Sequence, residues 1–170
     1  MMAPARQRFI DTYNIVSRER RHLDFSHQKL FNSPLSAERL AALDSNLELA
    51  ETIEAFASRF GRLQDTMAGK LFPRFLQAQA ESPGTQLETL NRMEKLGLLS
   101  SVERWLEARA LRNRLVHEYV SDMNQLHKDL QYAGELTTLF KETHTRIGHH
   151  ALESLGLGQH ELEIPVTCPN

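Results

Sequence analysis

Cysteine is almost missing: the chain holds one, Cys168, so it can close no disulfide on itself, and nothing in it calls for an oxidising compartment. Glycine and proline are scarce, 8 and 6 in 170 residues, and fall mostly where helices would end, which excludes a collagen-like or low-complexity chain. Positive charge has no surplus. Twenty lysines and arginines face 22 acidic residues, a formal net charge of -2, with a sequence pI near 6.4. That balance counts against a tight, sequence-independent nucleic-acid binder, but not against an enzyme that touches one or two phosphates. No apolar run is long enough to cross a bilayer, and the opening residues MMAPARQRFIDTYN carry no apolar leader core. These readings make a cytoplasmic protein without a membrane partner the expectation.

What is present is a helical period. Hydrophobic residues make up 41% and charged residues 25%, the balance of a globular protein, and 170 residues suit one domain. Phe9, Tyr13, Val16, Leu23 and Leu30 recur at helical steps and predict a first helix over about 4–31. Pro34 ends it, and Ser36 is placed to cap the next helix. Leu40, Leu43, Leu47, Ala50, Ile53, Phe56, Phe60, Leu63, Met67 and Leu71 predict one long second helix, with Gly61 off its stripe and Pro73 kinking or ending it. The loop ESPGT leads into a capping box, Thr85 with Glu88, and a short helix stopping at Gly97. A second box, Ser100 with Glu103, opens the next helix, and Met123 to Ala151 marks a last long one that ends near 156. No strand is expected. The predicted fold is all-α: an up-and-down bundle of long antiparallel helices with one short extra helix, residues 1–156, then a loose polar tail over 157–170. The apolar faces are wide enough to leave a surface for a partner subunit.

One stretch breaks the leucine pattern: RNRLVHEY, Arg112 to Tyr119. An arginine separated by four residues from a following histidine is weak evidence by itself. With 15 arginines and eight histidines, a gap of four to six residues arises roughly twice by chance. Arg20 and Arg21 before His27 are such decoys, read as solvated or dimer-face residues. RNRLVHEY carries more than the pair. Asn113 and His117 are four apart, Arg112 and Tyr119 seven apart, and the four form a polar arc roughly 160° wide on one helix. Leu111 and Leu115 face away and anchor it.

Histidine exchanges protons near neutral pH, and arginine offers a charged planar fork for phosphate. Together they suit metal-free RNA cleavage, in which a 2′-hydroxyl loses its proton and attacks the adjacent phosphorus. One arc supplies one histidine. Two arcs facing across a two-fold axis would supply an acid and a base, so this chemistry favours a homodimer. A plainer reading has His117 favoured by the helix dipole and Tyr119 as a packing aromatic. His144, His149, His150 and His160 fit no common metal spacing and read as a solvated helix end. No metal or cofactor is expected. Trp105 reads as core rather than a base-stacking platform, and Asp65 as a surface carboxylate or an aid to the site.

RNRLVHEY resembles the Arg-x4-His-x-Tyr signature of HEPN-domain ribonuclease toxins, the HepT type encoded beside a minimal nucleotidyltransferase antitoxin. LNRMEKLGLLSSVERWLEARALRNRLVHEYVSD is similar to the family's short helix, turn, motif helix and acidic exit. FASRFGRLQDTMAG resembles its second helix, with Asp65 at an often acidic position. The likeness covers roughly residues 36–145 and is strongest over 90–122. It implies a homodimeric, metal-independent endoribonuclease acting on cellular RNA, with Arg112 and His117 catalytic and Asn113 as the polar residue after the arginine. Tyr119 matches the tyrosine that the partner modifies with AMP in some members, and the antitoxin works by that modification, by complex formation, or both. Arg114 departs from the family's usual aliphatic residue. It would touch RNA or antitoxin, or pair with Glu118. The alternative is a catalytically inactive HEPN module that binds, or presents a substrate to, a nucleotidyltransferase.

Overall fold

The computed structural model describes residues 2–117 and 122–166, of which those in regular structure are all helical. Helix α1 spans Met2–Phe31, α2 Ala37–Ala41 and α3 Leu47–Thr66. A π-helical turn, Met67–Leu71, joins α3 to α4, Phe72–Ala78. Helices α5, α6 and α7 span Gln86–Lys95, Val102–His117 and Met123–Ser154.

The long helices run antiparallel, as the residue pairs between them show. Along α1, Glu19 meets Thr66 and Ser26 meets Arg59 of α3, while Tyr13 meets His144 and Arg20 meets Lys141 of α7. Each pairing climbs one helix as it descends the other. The five apolar residues expected to face inward on α1 are all buried, and so are Leu126, Leu130, Ala133, Leu136, Phe140, Ile147 and Ala151 on α7. Trp105 is fully buried, with Phe72 and Phe140 at ring centroid distances of 4.9 and 5.1 Å.

Two expectations about the second helix need correction. It is two helices, because Asn46 caps a new start: its side chain accepts from the Leu49 N–H at 3.1 Å. The restart resets the helical phase, leaving Leu47 73% exposed and burying Leu49 instead. Pro73 neither ends nor simply kinks the run. It has no N–H to give the carbonyl four residues back. The chain widens into the π turn before it, where the Phe72 N–H reaches the Met67 carbonyl, and helix resumes to Ala78.

The Thr85–Glu88 capping box forms in both directions. The second box does not: Ser101 caps α6 through the Arg104 N–H at 3.1 Å, and Glu94 takes the Val102 N–H at 2.6 Å, so α6 starts one residue later than expected.

The segment after α7 is not loose over the described residues. Leu157 and Leu162 are buried, Glu161 pairs with Arg6 at 3.2 Å, and the Glu163 carbonyl accepts from Ser17 Oγ at 2.6 Å. Among the described residues no helix is long and apolar enough to cross a membrane.

Candidate functional site

Helix α6 is held by Leu111 and Leu115, both buried as expected. That fixes the next positions at the rim of a groove between α3 and α6 of about 740 Å³, lined among others by Arg62, Asp65, Lys70 and Arg112. Arg112 lies in this groove, half-buried, with Nη2 donating to Asp65 Oδ2 at 2.9 Å and Nη1 donating to Asn113 Oδ1 at 3.1 Å. Asp65 is thus more than a surface carboxylate: it crosses from α3 to hold the arginine. Three of the expected site residues, Arg112, Asn113 and Asp65, are brought together. Arg114 reaches α7 instead, where Asp129 takes Nε at 3.2 Å and Nη2 at 3.1 Å. Tyr119 and Glu118 lie outside the described residues. So does the side chain of His117, whose backbone closes α6.

Two α3 residues that contact the Arg112–Asp65 pair escaped the sequence reading, one lining the groove and one behind it. Gly61 is not a bystander off the stripe. It is buried, and a Cβ there would stand 3.0 Å from Arg112 Cγ and 3.2 Å from Nε. The arginine stem lies directly on the Gly61 backbone. A glycine inside an otherwise good helix costs about 1 kcal/mol against alanine, and that cost was the signal to look for a close approach. The second is Gln64, buried on α3. Its amide has one orientation that satisfies both ends, with the oxygen accepting from Trp105 Nε1 at 3.2 Å and the nitrogen donating to Asp65 Oδ1 at 2.9 Å.

The groove's charge is mixed, with Arg62, Lys70 and Arg112 set against Glu54 and Asp65. Behind it Glu19, half-buried, has its carboxyl pushed up by burial, against the opposing pull of the Thr66 hydroxyl and of Arg62 and Lys70. An excess of one cation, with a guanidinium presented on a rigid helix, can receive one or two phosphates rather than a long polyanion.

Of the decoy residues and the late histidines, Arg20 and His144 differ from expectation, while Arg21, His149 and His160 are exposed as expected. Arg20 and His144 are buried, not solvated, at the α1–α7 contact. Arg20 Nη1 lies 3.3 Å from His144 Nδ1 and donates to Thr145 Oγ1 at 2.8 Å. A guanidinium has only donors, so it fixes Nδ1 as acceptor and leaves the proton on Nε2, facing Ser17 Oγ at 3.2 Å. Arg21 is exposed and pairs with Glu163, while His27 is half-buried between Phe31 and Phe56. His149 and His160 are exposed and His150 packs on Phe75; among the described residues no group of three or more potential ligands could hold a metal ion.

No family profile, curated protein or solved structure matches this chain.

Proposed function

We propose that this chain is a metal-independent endoribonuclease of the HEPN toxin type, acting as a homodimer and restrained by a nucleotidyltransferase antitoxin. The observation that carries the reading is the Arg112–Asp65 pair, which presents a guanidinium in an open groove one helical turn or so before His117. In this reading an imidazole takes the proton of a ribose 2′-hydroxyl. The 2′-oxygen then attacks phosphorus, the bond to the 5′-oxygen breaks, and the second subunit's imidazolium protonates that leaving oxygen. The products are a 2′,3′-cyclic phosphate and a free 5′-hydroxyl. Arg112 meets the charge growing on the phosphoryl oxygens, where a preorganised donor stabilises the transition state more than the ground state. An AMP group on Tyr119 would bring a bulky phosphodiester into the same stretch of sequence and repel the RNA backbone.

A second reading is a catalytically silent HEPN module serving as a binding partner of the nucleotidyltransferase. It draws on the fact that the Arg112 fork is already taken up by Asp65 and Asn113 within one chain. Expression in a bacterium with and without His117→Ala separates the two. The nuclease reading expects growth arrest from the wild type and relief in the variant. Arrest that persists unchanged in the variant removes the catalytic assignment, and a wild type harmless in the absence of the antitoxin favours the silent module.

A further inference from the structure

We propose that Gln64 is a positioning residue, its buried amide linking the Trp105 indole to Asp65 and thereby fixing where Arg112 sits in the groove. The proposal rests on the nuclease reading only for its consequence in catalysis, since the linkage itself is a matter of hydrogen-bond direction. Trp105 can only donate, so the Gln64 oxygen must face it at 3.2 Å. That choice forces the Gln64 nitrogen toward Asp65 Oδ1 at 2.9 Å. The second carboxylate oxygen, Oδ2, is then left for Arg112 Nη2 at 2.9 Å. The donors thus run outward from the indole to Asp65, whose carboxylate ends the chain by accepting from Gln64 on one oxygen and from Arg112 on the other. Trp105 is fully buried among aromatic rings and Gln64 is 1% exposed, so the inner end of the chain is rigid. Asp65 is half-exposed, with 53% of its side-chain surface open, and alone would be free to turn toward water. Gly61 completes the arrangement by letting the arginine stem lie flat on α3. Arg112 Nε, buried without a partner against that surface, is tolerated because the other two nitrogens are held.

The chain's single tryptophan makes the linkage directly observable, because its indole N–H gives one nitrogen–proton correlation in an NMR spectrum. In the full-length protein, Arg112→Ala should shift that resonance when Gln64 is present. The same change should leave it nearly unmoved in a Gln64→Met background, where packing is kept and both hydrogen bonds are gone. An equal shift in both backgrounds, or none in either, overturns the linkage.

Cleavage of a single-stranded RNA tests the consequence. At pH 8, Gln64→Glu sets carboxylate against carboxylate and should lower kcat at least about tenfold with little change in KM, the signature of misplaced rather than lost binding. Adding Asp65→Asn to it restores one donor facing one acceptor at each junction, and should recover activity about threefold or more over Gln64→Glu. Wild-type kcat in Gln64→Glu, or no recovery in the double variant, overturns the positioning role. A wild type that cleaves no RNA while the indole coupling is present removes the nuclease reading and leaves Gln64 as the group that holds Arg112 to the groove.

Discussion

A methyl group at position 61 would press on Arg112 Cγ at 3.0 Å, in a helix that would otherwise welcome alanine. The two effects have opposite signs and fall on different observables. Alanine in place of glycine favours an interior helix position by about 0.8–1 kcal/mol. The displaced guanidinium is a loss to the site alone, and a shift of about 1 Å in a reacting group can cost about a hundredfold in rate. On the proposed nuclease reading, Gly61→Ala is therefore expected to cut RNA cleavage by about tenfold or more while the melting temperature holds or rises slightly. Turnover and a thermal melt on the same preparation check this. A large fall in melting temperature with unchanged turnover would show that the groove does not use Arg112 in its observed place.

The same scale holds the clearest pH effect. Burial, and secondarily Arg20, lowers the pKa of His144 to about 3. In the unfolded chain the ring returns to its ordinary value near 6.5. Above that value both states are neutral and the histidine's contribution to stability is fully present. As pH falls between about 6.5 and 3 the unfolded chain binds the extra proton, so stability drops by up to about 1.4 kcal/mol per unit. Urea denaturation at pH 7.5 and 5.5 should show that loss in the wild type and a smaller one in His144→Gln. Neither the Arg20–His144 contact nor the Gly61–Arg112 contact was legible in the sequence, for one reason. A periodic pattern tells which face of a helix is apolar, but not which polar residue on its edge finds a partner on another helix. Arg20 lies at such an edge of α1, and its spacing to His27, a chance match, says nothing of the His144 it meets on α7. Arg112 and Asn113 stood out through the polar cluster of RNRLVHEY, which periodicity does not explain, while the contact of Asp65 with Arg112 was offered only beside its reading as a surface carboxylate.

Among the elements, those with a local cause were readable and those set by competition were not. The Thr85–Glu88 box and the stop at Gly97 follow from neighbouring side chains and backbone, and both formed, with Gly97 in the left-handed region at φ +74°. The break between α2 and α3 depends on Asn46 capping outward in preference to continuing the apolar stripe through Leu43 and Leu47, a balance of about 1 kcal/mol that no pattern displays. The π turn before Pro73 is similar, since the proline predicts a disturbance but not its form. The C-terminal segment looked polar because its contacts alternate. Leu157 and Leu162 go in, while Glu161 and Glu163 bind α1 through Arg6, Asn14, Ser17 and Arg21. Burying two leucines is worth about 1.5–3 kcal/mol each before conformational entropy is subtracted. Truncation after Leu155 should therefore lower the melting temperature by about 5 °C or more and raise amide exchange in the first half of α1. An unchanged melt would mean that the segment is carried by the bundle without supporting it.

At the scale of the molecule, the antiparallel bundle was readable from helix length and short connections, while its assembly depends on chemistry rather than pattern. One chain supplies one signature histidine, and the proposed reaction asks for a base at the 2′-oxygen and an acid at the 5′-oxygen. If both come from His117 in two copies, a mixed dimer of wild type and His117→Ala is dead. Random assortment of equal amounts then leaves roughly a quarter of the dimers fully wild-type, where independent sites would leave half of the activity. Adding an equal amount of His117→Ala protein, unfolded and refolded together with the wild type, should thus roughly halve the activity of the wild type present. Sedimentation velocity on the same samples should give the mass of two chains. Activity unaffected by the variant, with exchange of subunits confirmed by differently tagged chains, would mean that each subunit works alone. The base and the acid would then both have to be found on one chain, and Glu19, whose carboxyl burial pushes up behind the groove, would be the first residue to test.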